Sequence, residues 1–400
     1  MPDMQLLTAE SPVRRVPFSP KAMVHAAFVP TGMVTVLLGP LLPLLAARWS
    51  LSDAQAGYLI SAQFMGSLVG TISSSLLLRR VGFRWSIAIG QVLMAFGVSG
   101  LFSSILAAAT AAVFCYGIGI GLTIPCGNLM IAEGSPRRRS STLNLLSFSW
   151  SAGAVSCPFM LALAQQAHGT QFFLRGVAGV LLVLAAILLM FPNEMPPPAQ
   201  RQHSSKVAVP WFRYLQNSAA IMLGTLFFVY VGTENALGAW LASYARRVSG
   251  SPLGSWMTVS SYFYGALLVG RALAPATLRY LSDVRQACLG LLLSLASLGL
   301  LLVSQSVAGI AICAFAAGLG LSTLYPITIS LLSASFGREA TNIGGAMFAF
   351  STLGGASLPW LVGFASNEFG SLRAGLLVPL GGCLLMLAVF SRPRWRCQPE

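Results

Sequence analysis

Apolar residues in this chain gather into long runs parted by short polar breaks. Twelve runs stand out: 22–47, 55–78, 85–105, 109–132, 142–164, 172–192, 217–243, 254–279, 286–303, 308–334, 341–364 and 372–391. A helix needs about 20 apolar residues to cross hydrocarbon, and buried strands are far shorter. The pattern therefore predicts an all-α integral membrane protein with twelve transmembrane helices. The ninth run is the shortest, and the third and fourth are nearly fused. Gly and Pro recur inside the runs, as spanning helices tolerate.

The breaks carry the charge. Only 8% of the 400 residues are charged and 56% are hydrophobic, against about 25% charged in soluble domains. So few charges cannot coat a surface in water, and lipid is the expected solvent. The net charge of +14 would suit nucleic acid, but the basic loops lack interleaved aromatics and sit where cytoplasmic loops of membrane proteins sit. With the N-terminus on one side, eighteen of the 24 Lys and Arg fall in breaks on that side and five on the other, with Arg271 inside the eighth run. That bias predicts both termini in the cytoplasm and a cell-membrane location. Residues 1–21 have no apolar core and are not expected to be a signal peptide. Six of the seven cysteines lie inside runs without metal spacing and read as small core residues.

The longest break, "PNEMPPPAQRQHSSKVAVPWFRYLQ" at 192–216, is polar and Pro-rich and reads as a linker. The expected organisation is a tail at 1–21, a six-helix bundle at 22–192, a linker at 193–216, a second six-helix bundle at 217–391 and a tail at 392–400. The halves are related. At an offset of 200, "LVGTISSSLLLRRVGFRWSIAIG" (68–90) lies on "LVGRALAPATLRYLSDVRQACLG" (268–290) without a gap. At an offset of 201, Gly117, Gly119, Pro125, Gly153 and Pro158 fall on Gly318, Gly320, Pro326, Gly354 and Pro359. Near-constant offsets mean a duplicated unit. The matches are mainly the residues that set helix approach and bending.

Twelve spans, two related halves, a middle linker and the basic "RRVGFR" loop resemble the major facilitator superfamily across nearly the whole chain. The family's loop signature after helix 2 is roughly Gly-x-x-x-Asp-x-x-Gly-Arg-Arg. Here "SLLLRRVGFR" has Ser75 for the first Gly and Arg79 for the Asp, and only Gly82 and Arg84 remain. "GIGIGLTIPCGN", "STLNLLSFSWSAGAVSCP", "YVGTENALGAWLASY" and "VGRALAP" are similar to the fucose-permease branch and its glucose-transporter-like relatives. That branch has a Glu four residues before its helix-4 Asn and an Asp in helix 1. In this chain Ile124 stands four residues before Asn128, and helix 1 holds no acid. The resemblance implies two rocking halves around a central cavity. It also implies substrate roles for Asn128, Asn144 and Trp150, amides binding hydroxyls and a ring stacking on C–H faces, with hydrogen bonding across helices the open alternative for Asn128 and Asn144.

The residues add their own candidates. Of ten acids only Glu234 lies deep in a run, about 16 residues or about 24 Å along its helix. A charge there costs at least a few kcal/mol, so such residues usually face a cavity. Three readings stay open for Glu234: a protonatable coupling group, a direct ligand for a polar solute, or an interhelical hydrogen-bonding group. Asn235 lies beside it on a Gly-containing stretch. Trp240 suits either an outer gate or an interfacial belt. Tyr264 and Arg271, seven apart, share a helix face. Arg271 needs a partner, with Glu339 or a helix C-terminus suggested. Tyr325 precedes Pro326, where packing competes with binding. Glu133 is expected to pair with the arginines of "SPRRRSS". No P-loop, triad or metal cluster is readable, so no enzyme activity, cofactor or metal is expected.

The expectation is a secondary transporter, acting as a monomer, for a small polar solute such as a sugar or polyol, coupled to H+ or Na+. A drug or metabolite exporter of the same superfamily and a non-transporting membrane sensor are the alternatives.

Overall fold

The computed structural model describes residues 20–133, 139–190, 217–251, 254–277, 280–337 and 340–392. The expected linker and most of both tails lie outside these residues, as do Glu339 and residues 134–138 of the "SPRRR" loop. The helices are α1 (Pro20–Val36), α2 (Leu38–Trp49), α3 (Asp53–Gly100), α4 (Leu106–Glu133), α5 (Arg139–Ala167), α6 (Thr170–Leu188), α7 (Ser218–Ser249), α8 (Val259–Thr277), α9 (Asp283–Val303), α10 (Val307–Leu321), α11 (Leu324–Phe336), α12 (Ala340–Glu368), α13 (Leu372–Gly375) and α14 (Leu377–Phe390). Among the described residues nine helices are long and apolar enough to cross a membrane, and the bent pair α1–α2 makes ten. The 48-residue α3 holds two of the twelve expected spans, and α8 covers the eighth run. Twelve crossings result.

The junctions follow from single residues. α1 and α2 meet at a 42° bend, where Pro40 has no N–H to return to the Val36 carbonyl. α10 and α11 part at Ser322 and Thr323, because Pro326 leaves the Ser322 carbonyl without its donor. The near-fusion expected between the third and fourth runs falls elsewhere: a break at 101–105 separates them, whereas the second and third join through Gly82. Gly82 has φ 81° and ψ 178°, a conformation that only glycine adopts cheaply. Arg84 donates from Nη1 to the Leu189 carbonyl at 3.0 Å. The two surviving signature residues thus shape and anchor one turn.

The duplication is visible as repeated contacts. Gly153 packs on the Val29 carbonyl and Gly354 on the Phe228 carbonyl. Gly117 sits on the Gln63 carbonyl and Gly318 on the Phe263 carbonyl. Gly119 meets the Gly90 carbonyl, and Gly290 and Gly320 meet each other's carbonyls. Lipid supplies no hydrophobic drive between helices, so close backbone approach at small residues carries much of the association. Large apolar side chains such as Ile72, Phe96, Leu163, Val303 and Ile312 are more than 60% exposed, as lipid-facing positions should be.

Bonds joining the two halves gather at the face where α2 ends and α3 begins. Asp53, in the first turn of α3, accepts from Arg247 Nη2 on α7 at 2.5 Å and from Ser366 on α12. Arg246 donates to the Pro43 carbonyl, and Ser61 donates to the Ala356 carbonyl at 2.7 Å. Tyr58 packs on Trp360 and Phe159 on Tyr262, with ring centroids 6.1 and 6.0 Å apart. Gly39 of α2 lies on the Gly238 carbonyl of α7. These contacts close that face.

Two outcomes are expected. Gly153→Val and Gly354→Val each destabilise by about 1–3 kcal/mol or more, while Gly176→Ala, with open space around it, is neutral or slightly stabilising. Thermal unfolding in detergent reads both. Asp53→Asn weakens a latch whose Arg247 side chain is 48% exposed, worth about 0.2–1 kcal/mol. Spin-label distances across that face should widen in an up to roughly five-fold larger population than in wild type.

Candidate functional site

Glu234 lies midway along α7, with 9% of its surface exposed. α7 is capped at its start by Asn217, whose side chain accepts from the Ala219 N–H at 2.9 Å, and at its end by Gly250 in the left-handed region. One turn before Glu234 stands Tyr230, 1% exposed. Arg271, near the middle of α8, donates from Nη2 to Glu234 Oε1 at 3.4 Å and to Tyr230 Oη at 3.3 Å. The Tyr325 ring from α11 lies 5.7 Å from Tyr230 and 5.8 Å from Phe227. Phe227 meets Phe348 of α12 at 6.1 Å. One acid, one guanidinium and two phenols thus share an aromatic-walled cluster at mid-helix depth.

The sequence reading joined neither Glu234 to Arg271 nor Tyr230 to either. Arg271 turns to Glu234 rather than to a helix C-terminus, and Glu339 lies outside the described residues. The pairing is physically required: each ion alone costs several kcal/mol in low dielectric, and mutual attraction offsets much of that only at close range. Tyr264, also on α8, presses its hydroxyl against Gly238. A side chain at 238 would collide with it and part α7 from α8.

The other candidates scatter. Trp240 is 1% exposed and donates to the Pro359 carbonyl at 2.8 Å, pinning α7 to α12. It also borders a recess of about 510 Å³ beside Arg246, Arg247 and Asp53. That recess lies at the latch, twelve residues along α7 from Glu234 at its Arg246 rim. Asn235 donates to the Val231 carbonyl of its own helix at 2.8 Å. Asn128 is half-buried and Asn144 exposed. Neither is brought to Glu234.

Trp150 donates to Thr35 Oγ1 at 3.4 Å and belongs to a neutral network in the first half. Gln63, 3% exposed, donates to the Thr35 carbonyl at 2.8 Å and accepts from Tyr116 Oη at 2.9 Å. Gln91, fully buried, donates to Thr31 Oγ1 at 3.1 Å. The sequence reading passed over Gln63, Gln91 and Tyr116. An amide in the middle of an apolar run was the available signal. Among the described residues no group of three metal-ligating side chains occurs.

A duplicated bundle of membrane-crossing helices with a charge pair at its middle belongs to the class of membrane transporters. The profile of the major facilitator superfamily matches residues 24–359, and the chain belongs to that family. A glucose/galactose transporter of Brucella abortus is 24% identical over 87% of this chain and 88% of its own. The human sodium-dependent glucose transporter 1 is 21% identical, covering 90% of this chain and 76% of its own. Among solved structures, a D-xylose-proton symporter aligns with a TM-score of 0.74 and 18% identity, covering 95% of this chain and 97% of its own. The Escherichia coli fucose:proton symporter aligns at 0.64 and 18%, covering 95% and 99%. These likenesses carry the fold.

The charge pair makes a direct prediction. Arg271→Leu strands the Glu234 carboxylate and should cost about 3–5 kcal/mol, whereas the double variant Glu234→Gln with Arg271→Gln should cost less than Arg271→Leu alone. Unfolding midpoints of the variants in one detergent measure the difference.

Proposed function

We propose that this chain is a secondary active transporter that carries a small polar solute, a sugar or polyol, by alternating access. The buried Glu234–Arg271 pair is the observation that carries this reading. A purely structural bundle has no need of charges at mid-membrane, where each costs about 2.5–3.5 kcal/mol even on insertion scales. The sugar relatives support the substrate class, and the half-buried Tyr325 ring suits the C–H face of a sugar ring.

In this reading residues 22–192 and 217–391 rock against one another, joined by the linker at 193–216, with both termini in the cytoplasm as the basic loops suggest. The Asp53–Arg247 latch holds the outer face shut. Glu234 couples transport to a cation. A proton or sodium ion at the carboxylate weakens its attraction for Arg271, which then turns to the solute. The cost of leaving either charge unpaired ties the two events together. The Brucella and human relatives, by name glucose carriers, and the proton-symporting fold neighbours support a coupled mechanism.

Uptake into proteoliposomes tests it. Wild type should concentrate solute when an inward proton or sodium gradient is imposed. Glu234→Gln should equilibrate solute without concentrating it. Concentrative uptake by the variant at the wild-type level would remove Glu234 from the coupling role.

A further inference from the structure

The Arg271 guanidinium is underused. It carries five N–H donors, yet both of its bonds leave from the single nitrogen Nη2, at 3.3 and 3.4 Å. Those lengths lie beyond the usual N–H···O range. No other oxygen of a described residue accepts from it. Its side chain keeps 26% of its surface open, against 12% for Glu234. A cation at this depth would be expected to hide all its donors. Nε and Nη1 make no hydrogen bond to a described residue, and the ring of Tyr325 lies 5.7 Å from that of the Tyr230 acceptor. Parallel N–H groups on a planar guanidinium match a carboxylate, which accepts two of them at once.

We propose that Arg271 anchors a carboxylate of the transported solute, so that the substrate is a monoanionic sugar acid rather than a neutral sugar. This rests on the transporter reading above and narrows its substrate class.

Charge balance supplies the mechanism. Glu234 and Arg271 sum to zero. An entering carboxylate leaves one uncompensated negative charge in a low-dielectric site, which is strongly disfavoured. The titratable groups facing the pair are Tyr230 on α7, Tyr264 on α8 and Tyr325 on α11, with the Cys157 thiol of α5 beside Tyr264. None of them is a second cation. Glu234 is the group that restores neutrality, by taking one proton from the medium as the solute carboxylate displaces it from Arg271. On release the proton leaves Glu234, which pairs with Arg271 again. The unit carried is one anion and one proton, with no net charge moved.

The test uses the full chain. Purified protein is heated in detergent with gluconate, glucuronate, lactate, glucose or a lipophilic cation, and wild-type proteoliposomes are assayed for gluconate uptake. Gluconate or glucuronate should raise the unfolding midpoint while glucose at equal concentration does not. Uptake should follow an imposed proton gradient and ignore an imposed membrane potential. Arg271→Lys keeps the charge but loses the planar fork, and should weaken sugar-acid binding by at least about tenfold. The wild-type comparison stands even if that variant does not fold. Stabilisation and uptake of glucose with indifference to every carboxylate would overturn the sugar-acid assignment and leave the transporter reading intact. Response to lactate alone overturns the sugar part of the proposal. Response to the lipophilic cation alone overturns both readings. Potential-driven gluconate uptake overturns the one-proton cotransport, and silence to all acids overturns the anchor.

Discussion

Two opposite charges held together in hydrocarbon constrain the second half of this molecule. Glu234 and Arg271 sit on different helices, and each is tolerable only while the other is near. Their helices must therefore approach closely, and the backbone is built for it. Gly238 leaves room for the Tyr264 hydroxyl, and Gly232 lies against α12 at the Gly354 carbonyl. Tyr230 adds a second acceptor for Arg271 without adding charge. An event that frees Arg271 from Glu234 disturbs the contact between α7 and α8, which is how a small chemical change could reach the rest of the bundle.

The duplication separates what is structural from what is specialised. Glycine-on-carbonyl contacts recur in both halves at offsets of 199 to 201. The charge pair does not recur. At the same offsets Glu234 corresponds to Val34, Arg271 to Thr71, Tyr230 to Pro30 and Tyr325 to Ile124. The first half instead carries the neutral network of Gln63, Tyr116, Thr35 and Trp150. Related packing thus supports two unlike polar interiors. The proline positions diverge as well: Pro125 lies inside the unbroken α4, while its counterpart Pro326 follows the break between α10 and α11.

The latch at the far face is of another kind. About half of the Arg247 side chain is exposed, so solvent and salt keep its pairing with Asp53 weak. A weak contact suits a contact that must open. The central pair, shielded from water, exerts its effect through the cost of separating it.

Sequence alone determined the all-α membrane class, the twelve crossings, the internal repeat and the unusual depth of Glu234 and Arg271. These follow from one-dimensional signals: run length is set by bilayer thickness, and an offset or a charge in an apolar run can be read without coordinates. It placed the near-fusion of spans at the wrong junction, since hydropathy is blind to the left-handed conformation of Gly82. It also left Arg271 without its true partner. Glu234 and Arg271 are 37 residues apart, on helices whose rotation about their own axes is set by glycine contacts with neighbours. Only the tertiary structure decides which faces of α7, α8 and α11 converge, because side-chain encounters between helices depend on packing in three dimensions rather than on spacing along the chain.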